Sequence, residues 1–171
     1  MSTDLELIQA GPEHQSALAN LLELYIHDFS ELLPIDVGED GRYGYPNLPL
    51  YWSDPARLPW LARVDGKLVG FALVGRLTGV SSDGAVWDMA EFFVLRRYRY
   101  RGWGTTLAHA IWRRCPGRWQ VRVMEKNNAG GRFWESCIAN FTGGSVPPEA
   151  FVQNGLSWLR FSFESAAAED C

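Results

Sequence analysis

DLELIQA, residues 4 to 10, alternates polar and apolar side chains and predicts a short first strand. The period then lengthens. Over GPEHQSALANLLELYIHDFSELL, residues 11 to 33, Leu18, Leu21, Leu22, Tyr25 and Phe29 recur on one face of a helix. Pro12 suits its first turn, where no N–H is needed. Residues 34 to 55 lose all periodicity and are rich in Pro, Gly, Tyr and Asp, so a loop region with room for one short helix is expected. WLARVDGKLVGFALVGRL reads as a hairpin with Asp65-Gly66 as its two-residue turn. GAVWDMAEFFVL reads as a long buried strand. A helix follows from about Gly102 to Arg114, with Leu107, Ala108 and Ile111 inward, and Pro116-Gly117 stops it. RWQVRVME is a strand, NAGGRFWESCIA a helix weakened by two glycines, and GLSWLRFSF a final strand. The order β-α-loop-β-β-β-α-β-α-β predicts an α/β fold with a mixed sheet covered by helices on both faces. No repeat or linker divides it, so residues 1–165 are expected to form one domain, with 166–171 a short frayed tail.

Composition narrows the class. With 171 residues and 47% hydrophobic content, the chain can bury one substantial core. No apolar run reaches the ~20 residues that a membrane span needs. MSTDLELIQA lacks the regions of a secretory signal, so a cytoplasmic protein is expected. Cys115, Cys137 and Cys171, with His14, His27 and His109, show no disulfide framework and no metal-ligand spacing, so no metal is expected.

Charge changes the picture more. The formal total is −4, yet residues 96 to 132 hold ten of the sixteen Lys and Arg against one acid, Glu125. That segment carries +9 and the remainder −13. Such a division suggests one localised anion site. The acidic remainder argues against a nucleic-acid groove.

The site falls on RRYRYRGWGTTLA, residues 96 to 108, between a strand and a helix. A helix N-terminus offers unpaired N–H groups and partial positive charge. Gly102 and Gly104 let a ligand approach the backbone. Arg96, Arg97, Arg99 and Arg101 add charge suited to a pyrophosphate and a further phosphate. A Walker A loop is absent. A Rossmann fingerprint is two-thirds present in Gly102, Gly104 and Leu107, but the loop follows several strands and no second βαβ half comes after it.

EFFVLRRYRYRGWGTTLAHAI resembles motif A of the GCN5-related N-acetyltransferases (GNAT), whose R/Q-x-x-G-x-G/A signature is matched by Arg99, Gly102 and Gly104. VMEKNNAGGRFWESCI is similar to the family's strand plus N-x-x-A-x-x-F-Y segment, with Asn127, Gly130, Phe133 and Trp134 at the four named places. The stretch also resembles a bacterial branch of predicted acetyltransferases. The resemblance implies a GNAT-like, mostly antiparallel mixed sheet with a splayed cofactor-binding strand pair. It implies acetyl-CoA as co-substrate, with its pyrophosphate on N–H groups from Arg99, Tyr100, Arg101, Gly102, Trp103, Gly104 and Thr105. The backbone of Phe92, Phe93 and Val94 would bond the pantetheine arm like an added strand, with Asn127 on the other side. Phe133 and Trp134 would lie against the cofactor. An N–H near Phe93 or Val94 would polarise the thioester carbonyl. The partner would be a small-molecule or peptide amine, with no nucleic acid and no membrane, and a homodimer is an allowed assembly.

The implied chemistry needs a base for the attacking amine. Asp88 and Glu91 stand just upstream of the thioester position. Strand alternation places them on opposite faces, so one of the two would face the cleft. The family's tyrosine acid is replaced by Trp134, whose indole N–H has no useful acidity. Either another group or water protonates the thiolate, or it leaves unassisted. For the acceptor, the family places the first helix, its following loop and late strands at the site. Here that stretch carries Asp28, Glu31, Asp36, Glu39 and Asp40 with Tyr43, Tyr45, Tyr51 and Trp52, a pattern suited to a cationic amine and equally to a solvated acidic surface. Asp28, Glu31, Tyr43, Tyr45 and Trp52 are the acceptor candidates. Three readings stand: an N-acetyltransferase, a non-catalytic acyl-CoA-binding module of the same fold, and, more remotely, a dinucleotide-dependent oxidoreductase.

Overall fold

The structure is a computed structural model that describes residues 4–79 and 84–166. Strand β1 (Leu5–Gln9) leads through a 3-10 turn at Pro12–His14 into helix α1 (Gln15–Phe29). A long loop holds the one-turn helix α2 (Leu50–Ser53). Strands β2 (Arg57–Val64), β3 (Lys67–Leu77) and β4 (Val86–Val94) follow as an antiparallel meander. Helix α3 (Trp103–Arg114), strand β5 (Gly117–Met124), helix α4 (Asn128–Thr142) and the hairpin of β6 (Glu149–Gln153) and β7 (Leu156–Ser165) complete the order. The sheet runs β1-β2-β3-β4-β5-β7-β6, and only the β4–β5 pair is parallel. This is the mixed, mostly antiparallel sheet expected from the sequence. Of the expected tail, only Ala166 lies within the described residues.

Two cores cover the two faces. On one, Leu18, Leu21 and Leu22 of α1 pack with Leu48 and Tyr51 against Leu61, Phe71, Leu73 and Phe93. On the other, Leu107, Ala108, Ile111 and Trp112 of α3 and Trp134, Cys137 and Ile138 of α4 pack against Val74, Met89, Val94, Trp119 and Val121. Removing these side chains from water at ~25 cal/mol per Å² is the main drive to this sandwich.

Local signals behave as their chemistry dictates. Asp65 and Gly66 take positive φ of 50° and 72°, the conformation of a two-residue hairpin turn. Helix α1 stops at Phe29, four residues before the expected Leu33. The Ser30 hydroxyl donates to the His27 carbonyl at 2.7 Å, and Pro34 opposes helical geometry in the residue before it. Strand β6 was not expected. It is the outer edge of the sheet, mostly exposed, and pairs with β7 across a turn in which Asn154 and Gly155 have φ of 53° and 74°.

Candidate active site

The strand pair β4–β5 opens a wedge in the sheet. Their register covers only Trp87, Asp88 and Met89 against Trp119, Gln120 and Val121. Beyond Met89 the β5-facing edge of β4 has no ladder partner, while its other edge stays paired to β3 through Val94. A strand edge without a ladder is suited to an extended ligand that adds as a strand.

A bulge then overturns the expected placement of the two acids. Leu73 pairs with Glu91, but Val74 pairs with Met89, so Ala90 is an extra residue in β4. One inserted residue reverses the alternation. Asp88 and Glu91 therefore share a face, opposite Gly75 and Leu73. Both stand on the α1 side of the sheet, not on opposite sides.

The two acids nevertheless differ. Asp88 is 3% exposed and fully engaged: it accepts from Arg122 Nε at 3.1 Å and Nη2 at 2.8 Å, and from Gln120 Nε2 at 2.9 Å. This bidentate pair pins β4 to β5 beside the point where they part. Glu91 stands just beyond it. Its Oε2 accepts the Tyr25 hydroxyl at 2.5 Å and its Oε1 the Tyr45 hydroxyl at 2.9 Å. Burial pushes the Glu91 carboxyl up from its ordinary value, and the two phenols partly oppose that shift. The same burial, with the Glu91 charge alongside, raises the Tyr25, Tyr45 and Tyr51 hydroxyls.

At the far end of β4 lies the phosphate-type turn. A 3-10 turn at Arg96–Tyr98 precedes Tyr100 with φ of 59° and Gly102 with φ of 83°. Gly102 caps α3, and its carbonyl accepts the Thr106 N–H at 3.0 Å. The N–H groups of Trp103, Gly104 and Thr105 therefore open the helix without intrahelical partners. Left-handed backbone at Tyr100 costs about 1–2 kcal/mol in an L-residue, strain of the kind retained where a turn serves a ligand. Tyr100 itself is fully exposed.

The arginines divide. Arg96 reaches Asp28 Oδ1 through Nε at 3.1 Å and Nη2 at 2.7 Å, and Arg99 reaches Asp28 Oδ2 at 2.6 Å. Arg99 also donates to the Val94 carbonyl at 2.7 Å and lies over the Phe93 ring. Burial pushes the Asp28 carboxyl up, but the guanidinium hydrogen bonds outweigh it and hold it below its ordinary value. Arg97 and Arg101 are exposed on the turn.

On the α3–α4 face, the wedge is floored by aromatics. Phe92 stacks on Phe133 and meets Trp134 edge-on, with centroids 5.7 and 4.8 Å apart. Trp134 is 7% exposed and also contacts Trp112. Phe93 points the other way, onto Phe71 and Tyr25. Asn127 caps α4, its Oδ1 accepting the Gly130 N–H at 3.0 Å. A Cβ on Gly130 would lie 2.6 Å from Asn127 Nδ2, so glycine there makes room for the cap.

The acceptor candidates are spread more widely than a single pocket. Only Tyr45 touches an acid of β4. Tyr43 donates its N–H to Glu23 at 2.7 Å and its hydroxyl lies 3.2 Å from His27 Nδ1. The Trp52 indole donates to the Ala10 carbonyl at 3.0 Å. Glu31 is exposed, and Asp28 is occupied by the two arginines. Tyr25 and Arg122 were not among the candidates. Tyr25 carries the helical period of a core residue, and nothing in the sequence marks that its hydroxyl reaches β4.

The profile of the acetyltransferase (GNAT) family matches residues 18–137, which spans α1 to α4. No curated protein sequence matches the chain. Among solved structures, a GNAT-family acetyltransferase from Streptococcus agalactiae superposes with a TM-score of 0.68 at 14% identity, over 95% of this chain and 96% of that one. NAA60 from Arabidopsis thaliana, solved with acetyl-CoA, gives 0.61 at 15% identity over 94% and 98%. The ribosomal-protein-S18-alanine N-acetyltransferase from Escherichia coli gives 0.60 at 12% identity over 98% and 97%. At these identities the structures show a shared fold, while the profile match covers most of the chain and takes in the turn, the wedge and the α4 segment. The chain belongs to the GNAT acetyltransferase family.

Proposed function

We propose that this protein moves the acetyl group of acetyl-CoA to a primary amine of a small molecule or peptide by direct attack on the thioester. The observation that carries the reading is the wedge: a β4 edge without a ladder partner beyond Met89, the open N-terminus of α3 at one end and the half-buried Glu91 carboxylate at its rim. The pyrophosphate suits the N–H groups of Trp103, Gly104 and Thr105, with Arg97 and Arg101 as exposed countercharges. The pantetheine arm suits the unpaired edge of β4, and the Asn127 carboxamide keeps its Nδ2 as a donor on the opposite side.

The acceptor reaches the thioester from the α1 face, where Glu91 stands. An ammonium has no lone pair, so it must lose a proton first, and a carboxylate raised by burial is a better base for that step. The ammonium gives its first proton to Glu91, the neutral amine attacks the thioester carbon so that C–N forms as C–S breaks, and the second N–H proton passes through water to the departing thiolate. Trp134 does not serve as the acid, because its ring is packed in the aromatic floor and indole does not ionise usefully. The exposed Glu31, Asp36, Glu39 and Asp40 and the phenols of the 43–51 segment favour a cationic acceptor. One structural neighbour supports an amine of a peptide as the class: the Escherichia coli enzyme is a ribosomal-protein-S18-alanine N-acetyltransferase.

The test is thiol release from acetyl-CoA across a panel of small and peptide amines. Turnover is expected with cationic primary amines, and the acceptor KM should rise with ionic strength because exposed carboxylates are screened. Tight acetyl-CoA binding without turnover on any amine would replace this reading with the acyl-CoA-binding module that Trp134 allows. A best acceptor that is neutral or anionic apart from its reacting nitrogen would reduce the acidic segment to a solvated surface.

A further inference from the structure

We propose that Tyr25 and Tyr45 are positioning residues for the transfer, a phenol clamp that holds the Glu91 carboxylate at the rim of the wedge. The inference rests on the reading of Glu91 as the base. Each carboxylate oxygen receives one phenol, Oε2 from Tyr25 at 2.5 Å and Oε1 from Tyr45 at 2.9 Å. The phenols come from helix α1 and from the loop that follows it, 66 and 46 residues before Glu91, and with one on each oxygen the carboxylate's rotation is blocked.

Both phenols are themselves fixed. Tyr25 lies in α1 with its ring among Phe29, Phe71 and Phe93, at centroid distances of 4.8, 5.8 and 5.8 Å. Tyr45 belongs to the long loop, and that loop is bound to α1 by Glu23, which accepts the N–H groups of Tyr43 and Gly44 at 2.7 and 2.9 Å. Leu48, three residues on, is buried in the α1 core. The loop is thus a strap whose tyrosine reaches β4. The charged and titratable groups around Glu91 are Asp88 on β4, Arg122 on β5, Tyr25 on α1, Tyr45 on the strap and Tyr51 on α2. Asp88 and Arg122 satisfy each other, which leaves the phenols as the hydrogen-bond donors to Glu91 among the described residues.

The arrangement meets two opposed needs. Burial makes the carboxylate basic, and two phenols keep it ionised and aimed. Neither phenol is an acid for the thiolate while Glu91 is charged, since both are raised well above their ordinary values.

Tyr25→Phe and Tyr45→Phe keep the rings and remove one donor each. In the free protein, carbon-13 NMR of labelled glutamate carboxyls should show Glu91 titrating at higher pH in each variant and higher still in the double variant. The acid limb of kcat/KM should move with it. At a pH on the wild-type limb each variant should lose about tenfold, and above the limb about twofold or less, with the KM for acetyl-CoA unchanged. A merely structural role would lower kcat at every pH. An unmoved Glu91 titration in both folded variants overturns the clamp. A titration that moves while the acid limb stays in place leaves the clamp standing and overturns Glu91 as the base.

Discussion

Gly104→Ala tests whether the turn and the aromatic floor are one unit. The family signature tolerates alanine at this place, yet here a Cβ would stand 3.1 and 3.2 Å from Cε2 and Cζ of Phe133 and 3.8 Å from Cγ2 of Val94. The ring must retreat by a few tenths of an ångström. It has little room, because it stacks on Phe92 at 5.7 Å and meets Trp134 at 4.8 Å. Overpacking of this kind costs about 1–3 kcal/mol. Replacing a helical glycine returns at most about 1 kcal/mol, and less in a first turn. The net is a loss of about 1 kcal/mol, a fall in Tm of about 2–4 °C for a chain of this size. The displaced ring also presses on Phe92, in the free segment of β4, while the Gly104 N–H leaves its aim. Acetyl-CoA affinity should then fall about tenfold, equivalent to 1.4 kcal/mol. Thermal melts and calorimetry read both effects. Phe133→Leu in the same chain should restore much of each, giving a coupling that two independent sites would not show. A Gly104→Ala protein that melts no lower and binds acetyl-CoA as tightly would refute the packing argument.

Two further substitutions separate function from stability. Glu91→Gln should cut turnover at least about a hundredfold while leaving acetyl-CoA binding intact, as steady-state kinetics and calorimetry would show. It should also raise Tm at neutral pH, because the raised Glu91 carboxyl contributes stability only below its unfolded value and that contribution is lost as pH rises through the folded one. Asp28→Asn should cost about 1–3 kcal/mol at neutral pH, mainly through Arg99, since Arg96 is 71% exposed and screened. The Asp28 carboxyl is held low, so its contribution is present above the unfolded value and lost as pH falls through the folded one; the gap between wild type and variant in pH-dependent melts should close in acid.

Much of this architecture is legible along the chain because it rests on local rules. The Asp65-Gly66 turn, the α1 face of Leu18, Leu21, Leu22 and Tyr25, and the glycine cap of α3 follow from φ preferences and period. Other features depend on partners distant in sequence. The bulge at Ala90 is set by the β3 register, and no residue type announces it. The pairing of Asp28 with Arg96 and Arg99 joins residues 68 and 71 apart, so an acid expected to face the acceptor instead braces the turn. Strand β6 could have been found, since Asn154-Gly155 is a hairpin signal, but EAFVQ is short and exposed and its apolar content is weak.

The wedge also bears on how the molecule holds together. Among the described residues, the backbone ladder between the half-sheet β1–β4 and the half-sheet β5–β7–β6 is three register pairs long, Trp87 to Met89 against Trp119 to Val121, with the Asp88–Arg122 pair beside it. Elsewhere the halves are joined through helices α3 and α4 beneath them. The seam is therefore a line of mechanical weakness across an otherwise continuous ladder, and opening along it breaks few backbone bonds. On the proposed function, a strand-like guest lying in the gap would add rungs along the open edge of β4 and tie the two half-sheets into one cooperative ladder.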